Sequence, residues 1–245
     1  MSGHRVGAAA VAACACTLPL AACTTTQERS AALAKNAEQA AQAKRFRVGT
    51  TNAALTRSSV TTLSGTDART VVVKITNASR RPQVVVPIGV DLYDGKDAQF
   101  FTNRVDGLDM PLNHVPVAGP GTTWWVNNQL PAARAARTRV RIGTSKTTPP
   151  AQLPEIRVSG VNLTKDGDVH VARGKVTNLS AVEQRRLTVY GVALRGERVV
   201  AAGRAVIEKL GPKGSKRQRF NLYFTGDPTG ATLVMSAPPS TLGDA

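Results

Sequence analysis

Apolar and polar residues alternate along most of this chain with a period of two. That period marks strands with one face buried and one face wet. Val71-Val72-Val73-Lys74-Ile75-Thr76-Asn77 predicts a strand ending in a turn residue. Gln83–Tyr93 predicts a longer one, with Val84, Val86, Ile88, Val90 and Leu92 on one face. Asp94-Gly95 closes it with hairpin chemistry. Gly119-Pro120-Gly121 predicts another turn, Thr122–Val126 the strand after it, and Thr138–Ile142 alternates cleanly. From residue 48 to residue 237 the runs are short and broken by Gly, Pro, Asn, Asp and Ser, which predicts a mainly β fold. The stretch Ala31–Ala43 differs: it is rich in Ala, Gln, Glu and Lys, with no Pro or Gly. These are helix formers without a large apolar face, so a solvated helix or a frayed coil is expected rather than a packed element. A coiled coil would need a heptad, and there is none.

The strand signals then recur in the same order. Lys74-Ile75-Thr76-Asn77 is echoed by Lys175-Val176-Thr177-Asn178, and Val90-Asp91-Leu92-Tyr93-Asp94-Gly95 by Val192-Ala193-Leu194-Arg195-Gly196. Gly119-Pro120-Gly121 is echoed by Gly211-Pro212-Lys213-Gly214, and upstream Leu55-Thr56-Arg57 answers to Leu163-Thr164-Lys165. Four anchors in one order, the central pairs about 101 residues apart, predict a duplicated β-domain. Each copy has the size of a small β-sandwich, at 49–143 and 155–237. Residues 144–154, with Thr147-Thr148-Pro149-Pro150, read as a linker, and 238–245 as a disordered tail. One larger β-domain is the alternative.

The start of the chain is patterned for export. His4 and Arg5 precede an uncharged, Ala-rich run from Val6 to Ala22, too short for an ordinary membrane span. It ends in Leu20-Ala21-Ala22-Cys23, followed by Thr24-Thr25-Thr26-Gln27. The arrangement resembles the signal peptide and lipobox of a bacterial lipoprotein, Leu-(Ala/Ser)-(Gly/Ala)-Cys. The resemblance implies removal of residues 1–22 and a lipid on Cys23, which tethers the protein through residues 23–48 to the extracytoplasmic face of the cell membrane. Cleavage by the ordinary signal peptidase, with Cys23 a bystander, and a retained anchor are the other readings. As a helix the tether reaches roughly 35 Å, and extended about twice that. Cys14 and Cys16 leave with the leader, so no thiol remains for a disulfide or a zinc site.

A second resemblance rests on Val90-Asp91-Leu92-Tyr93-Asp94, which follows a strand ending in Asn. It is similar to the FxLYD-type domain of bacterial surface lipoproteins, in which a G-x-V-x-N strand leads to an F-x-L-Y-D strand and a later Phe. Val90 stands where that family has Phe. The second copy matches in Gly174-Lys175-Val176-Thr177-Asn178, departs at Leu194-Arg195, and supplies the late Phe as Phe220. The resemblance covers most of residues 50–237. It implies two tandem immunoglobulin-like β-sandwich domains and brings no catalytic residues.

Composition narrows the chemistry. The formal net charge is +16, and Arg5 is the only charged residue of the leader, so nearly all of it stays after processing. With 22 Arg against 10 Lys and abundant Ala, the chain has the bias of a GC-rich genome such as an actinomycete's. Arg137, Arg139 and Arg141 alternate with Thr138, Val140 and Ile142, which predicts three guanidinium groups on one solvent face, with Arg134 near. Lys213, Lys216, Arg217 and Arg219 form a second basic cluster. Either could serve solubility, or attract anionic wall polymers or lipid head groups. The clusters lack the interleaved aromatics of a nucleic-acid groove, so nucleic acid is not expected.

The other candidates are weaker. Trp124 and Trp125 are adjacent in a strand and so point to opposite faces; one enters the core, and the other awaits a neighbouring domain, a sugar or a partner. Asp91, Asp94 and Asp97 are not spaced as a calcium loop and read as hairpin and strand-face residues. His114 and His170 lie in no nucleophile motif. Asn77-Ala78-Ser79, Asn162-Leu163-Thr164 and Asn178-Leu179-Ser180 read as turns. No cofactor or metal site and no enzyme is expected. The chain reads as an envelope interaction, scaffold or accessory lipoprotein with an unidentified envelope protein as one candidate partner, or else as a binding protein for a small ligand or anionic polysaccharide.

Overall fold

The computed structural model describes residues 46–65 and 68–243; the leader, Cys23 and the tether up to residue 45 lie outside the described residues. What is described is antiparallel β-structure, as the alternation predicts. The first half runs β1 (Leu55–Ser64), β2 (Ala68–Asn77), β3 (Gln83–Tyr93), β4 (Gln99–Thr102), a single helical turn α1 (Met110–Asn113), β5 (His114–Ala118), β6 (Gly121–Pro131) and β7 (Arg137–Ile142). The second runs β8 (Ile156–Asp166), β9 (Val169–Asn178), β10 (Gln184–Arg195), β11 (Arg198–Leu210), β12 (Gln218–Tyr223), β13 (Thr225–Gly226) and β14 (Thr232–Ser236).

Strand pairing is the same in both halves. One sheet is β1-β2-β6, and its counterpart is β8-β9-β12. The other sheet centres on β3, with β4 and β5 on one side and β7 on the other. Its counterpart centres on β10, between β11 and β14, with β13 beyond β11. One strand, β11, thus does what β4 and β5 do together, and the first half opens there into an excursion, residues 103–113.

Small features repeat as well. Val85 (φ 49°) and Arg186 (φ 50°), each the third residue of its strand, both drop out of the ladder. β1 shifts register between Arg57 and Ser59, and β8 between Ser159 and Asn162. Asn77 is buried and donates to the carbonyls of Arg81 at 2.9 Å and Ala118 at 3.0 Å, while accepting from the Ser79 amide. Asn178 does the same with Val182 at 2.7 Å, Gly211 at 3.0 Å and the Ser180 amide. Each asparagine ties the end of one sheet to two strand ends of the facing sheet. One expected echo needs correction: Leu55 sits opposite Asn77 and Ile156 opposite Asn178, so Ile156, not Leu163, answers to Leu55.

The four sheets follow one another as layers. Val71, Val73, Ile75 and Trp125 meet Ile88, Val90 and Leu92 inside the first half. The opposite face of β2 and β6, with Val72 and Val126, packs on Tyr190, Val192, Val199 and Ala202 of β10 and β11. Leu187, Val189, Ala193 and Ile207 face the other way, onto Val176, Phe220 and Leu222. The halves therefore share an apolar seam, and the described residues fall in one contact unit. Thr70 also donates its hydroxyl across the seam to Thr225 at 2.7 Å.

The expected boundaries shift accordingly. Val48, assigned to the tether, is buried over Gly89 and Gly143, neither of which has room for a Cβ there. The linker starts pinned, its Thr144 amide donating to the Thr50 carbonyl at 2.9 Å and its Ser145 hydroxyl to that of Val84. The expected free tail is held by the fully buried Gln184, which accepts from the amides of Ser240 (2.9 Å) and Thr241 (3.1 Å) and donates to the Thr241 carbonyl (3.0 Å).

Removing a buried carboxamide strands the carbonyls and amide it served. Asn77→Ala and Asn178→Ala should each lower unfolding stability by about 2–3 kcal/mol in urea titration. The exposed Asn162→Ala should stay within about 0.5 kcal/mol. Three equal effects would remove the asparagines' part in joining the sheets.

Candidate functional site

The tryptophans divide as strand alternation requires. Trp125 is fully buried in the first half, its indole N–H donating to the carbonyls of Pro111 at 2.9 Å and His114 at 3.1 Å. Trp124 is half-buried on the seam side, with the Lys74 ammonium 5.7 Å from its ring centre. It flanks a groove of about 530 Å³ where the halves meet, together with Pro116, Ile156, Val158, Tyr190 and Met235. The neighbouring half thus covers much of the second indole.

The arginine stripe has the expected geometry and a different charge. In β7 the side chains of Arg137, Arg139 and Arg141 are exposed while Val140 and Ile142 are buried. Across the ladder they face Tyr93, Asp91 and Gly89 of β3. Arg141 reaches Asp91 at 3.3 Å, and Arg137 pairs with Asp97 and stacks over the Tyr93 ring at 4.1 Å. Among the described residues only Arg139 of the three has no carboxylate partner. Asp91 is 1% exposed and also accepts from Arg104 at 3.0 Å and the Thr102 hydroxyl at 2.7 Å. Asp94 accepts from the amides of Lys96 and Ala98 in its own turn. Two of the acids read as hairpin and strand-face residues, Asp91 and Asp97, therefore neutralise two of the three arginines. Arg57, donating to the Val140 carbonyl at 3.3 Å, completes a cleft of about 690 Å³ between β1 and β7.

The excursion between β4 and β5 serves the seam. Its fully buried Asn103 accepts from the Val90 amide at 2.6 Å and donates to the carbonyls of Ile88 and Leu112. Asp109 pairs with Arg186 of the second half, and the Tyr190 hydroxyl lies 3.5 Å from the Pro111 carbonyl. Arg204, opposite Tyr190 in the ladder, is buried; desolvation pushes its guanidinium down from the ordinary value and the Tyr190 phenol up. Arg204 Nη1 and Thr188 Oγ1 have no hydrogen-bond partner among the described residues.

His114 stacks on Phe46 with ring centres 5.3 Å apart and is bonded to the Asn113 side chain at 2.7 Å. His170 lies 3.4 Å from Asp227. Neither is placed beside a nucleophile, and among the described residues no cluster of His, Cys, Asp and Glu could hold a metal. Cys23 lies outside the described residues.

Pairing of β9 with β12 brings together a basic cluster of which the sequence pattern shows only a part. Lys175 lies directly opposite Arg219, with Arg173 two residues away on the same face. In sequence Arg219 neighbours Lys213, Lys216 and Arg217; its nearest cations across the sheet are 44 and 46 positions earlier. Only strand register brings them together.

No family model matches the chain. Nor does any curated protein. What the surfaces can do is therefore read from their own chemistry.

Two outcomes follow. Arg104→Gln, which leaves a buried carboxylate short of a donor, should cost about 1–3 kcal/mol in chemical denaturation, and Arg139→Gln less than about 0.5. Burial holds the His114 pKa below 6.5, so protons bind the unfolded chain more tightly. Its contribution is complete above the unfolded value of about 6.5 and is lost as pH falls through the folded one. The melting temperature should therefore fall on acidification from about pH 7 to about pH 5, and fall less in His114→Gln.

Proposed function

We propose that this protein is a non-enzymatic lipoprotein, held on the extracytoplasmic face of the cell membrane by a lipid on Cys23, where its sheets serve as an interaction module of the envelope. The observation that carries this reading is Leu20-Ala21-Ala22-Cys23 at the end of an uncharged run behind Arg5. Two further facts support it. Among the buried charged and polar side chains of the first half, Asp91, Asn103 and Asn77 are engaged in holding strands and their connections together. The strong positive charge of the chain suits a surface held among anionic polymers and head groups. In this reading the two halves are FxLYD-like, with Val90 and Leu92 in the core and Asp91 clamped on the outer side by arginines.

A second reading makes the groove beside Trp124 a site for a small ligand or a polysaccharide, favoured by a half-buried indole with apolar neighbours at its side.

The intact mass of membrane-fraction protein should correspond to a chain beginning at Cys23 plus a diacylglyceryl adduct. Cys23→Ser should leave the precursor uncleaved or release the protein, since two acyl chains are what makes anchoring stable. A Cys23→Ser chain that matures and partitions unchanged would refute the lipoprotein reading.

A further inference from the structure

The outer face of the β8-β9-β12 sheet carries a recess of about 640 Å³. Gly160 (φ +58°), in the bulge of β8, has nothing within 4 Å of where a Cβ would stand, while the Cβ position of Gly174 points to the opposite, inward face, 2.7 Å from the Phe220 ring, so the floor is bare backbone. Around it stand Arg173, Lys175 and Arg219, with Asn162 and Asn221 on either side of Arg173 in the ladder. The three cations are exposed, and none is in an ion pair among the described residues. Neither β9 nor β12 contains an Asp or Glu. Of the carboxylates at the margins, Glu155 pairs with Arg157 at 3.0 Å and Asp166 accepts from the Tyr223 hydroxyl at 3.0 Å, while Asp168 lies in the turn between β8 and β9.

This arrangement works against the fold. Like charges directly opposite in a ladder, as Lys175 and Arg219 are, destabilise a sheet. A face kept wet only for solubility would mix both signs. The equivalent positions of the first half hold Lys74 opposite Trp124, a cation against a ring, and Val72 opposite Val126. Concentrated positive charge around a shallow floor of exposed strand backbone suits an anion that enters the recess.

We propose that this recess binds a flexible phosphodiester polymer of the cell envelope, one strand wide. Arg173 and Lys175 are two residues apart on β9, about 6.7 Å, on the scale of successive phosphates in an extended phosphodiester chain. Guanidinium groups bind phosphate oxygens through paired donors, and the two asparagines add carboxamide N–H donors. A flat bilayer does not enter a recess. The chain also arrives at the fold through Val48, over Gly89 of the β3 sheet, at the other end of the four layers. That the polymer belongs to the envelope rests on the reading of Cys23 given above; the anion chemistry does not.

The test uses the full chain in neutral detergent and immobilised poly(glycerol phosphate). Binding should weaken with salt, with a log–log slope of about −2, the value for three cations on a single-stranded polyanion. Arg173→Gln, Lys175→Gln and Arg219→Gln together should cost about tenfold or more in affinity near 50 mM salt and flatten the slope. Arg134→Gln, Arg139→Gln and Arg198→Gln remove the same charge elsewhere and should change affinity less than about twofold. Folding is checked by melting: Lys175→Gln alone should melt no lower than the parent, because it relieves repulsion, and Arg173→Lys with Arg219→Lys should keep the salt slope. Equal losses in both triple variants would overturn the proposal, as would wild-type binding by the first. So would binding of anionic vesicles, through these three residues, without binding of the polymer. Polymer binding that survives while Cys23 carries no lipid would leave the site standing and remove only its location.

Discussion

The middle of strand β10 has no wet face. From Leu187 to Ala193 every residue of β10 is buried, with one side on Val176, Phe220 and Leu222 and the other on the first half. A sheet in that position must satisfy its polar groups within the protein, because water does not reach them. Gln184 does so completely, with Val182, Ser240 and Thr241. Tyr190 faces a carbonyl of the excursion. Arg204 is the costly member: its guanidinium is desolvated and one nitrogen is unpaired among the described residues. The excursion follows from the same constraint, for residues 103–113 cross from the first half to bring Asp109 to Arg186 and the Pro111 carbonyl to Trp125 and Tyr190.

Stacking makes the two halves unequal. The outward side of the first three-stranded sheet is the seam, and the same side of its counterpart is open. Val72, Val126 and Trp124 on one correspond to Arg173, Asn221 and Arg219 on the other. The inward side keeps its character: Val73 and Trp125 correspond to Gly174 and Phe220, a small residue and an aromatic ring in each. In the first pair the ring is the larger and Val fits beside it. In the second the Phe220 ring takes the space a Cβ would need.

What was legible in the sequence was whatever depends on neighbours in the chain. Alternation placed Val84, Val86, Ile88, Val90 and Leu92 on one face, and all are buried. It also set Arg137, Arg139 and Arg141 outward. Their charge state was not legible, because Asp91 and Asp97 reach them only through the pairing of β3 with β7. The Asn77 and Asn178 turns were readable, but their carbonyl partners Ala118 and Gly211 lie 41 and 33 positions away. The seam does leave a trace in the sequence. Val71-Val72-Val73 and Val189–Leu194 are continuous apolar runs, which indicate burial on both faces rather than one. The tail and the last tether residues were misplaced because they carry no strand period; they are held by single side chains, Gln184 and Val48, rather than by a ladder.

Layering also has an electrical consequence. Facing sheets lie about 10 Å apart, so the two outermost sheets are separated by about 30 Å. At physiological ionic strength the Debye length is about 8 Å, and charges at opposite ends of the stack are screened from each other several times over. Arg139 on one end and the Arg173–Lys175–Arg219 group on the other therefore do not share a field. Charge neutralised at one end leaves the potential at the other as it was, so the ion pairs that quench Arg137 and Arg141 at the β7 end do nothing to quiet the cluster at the far end.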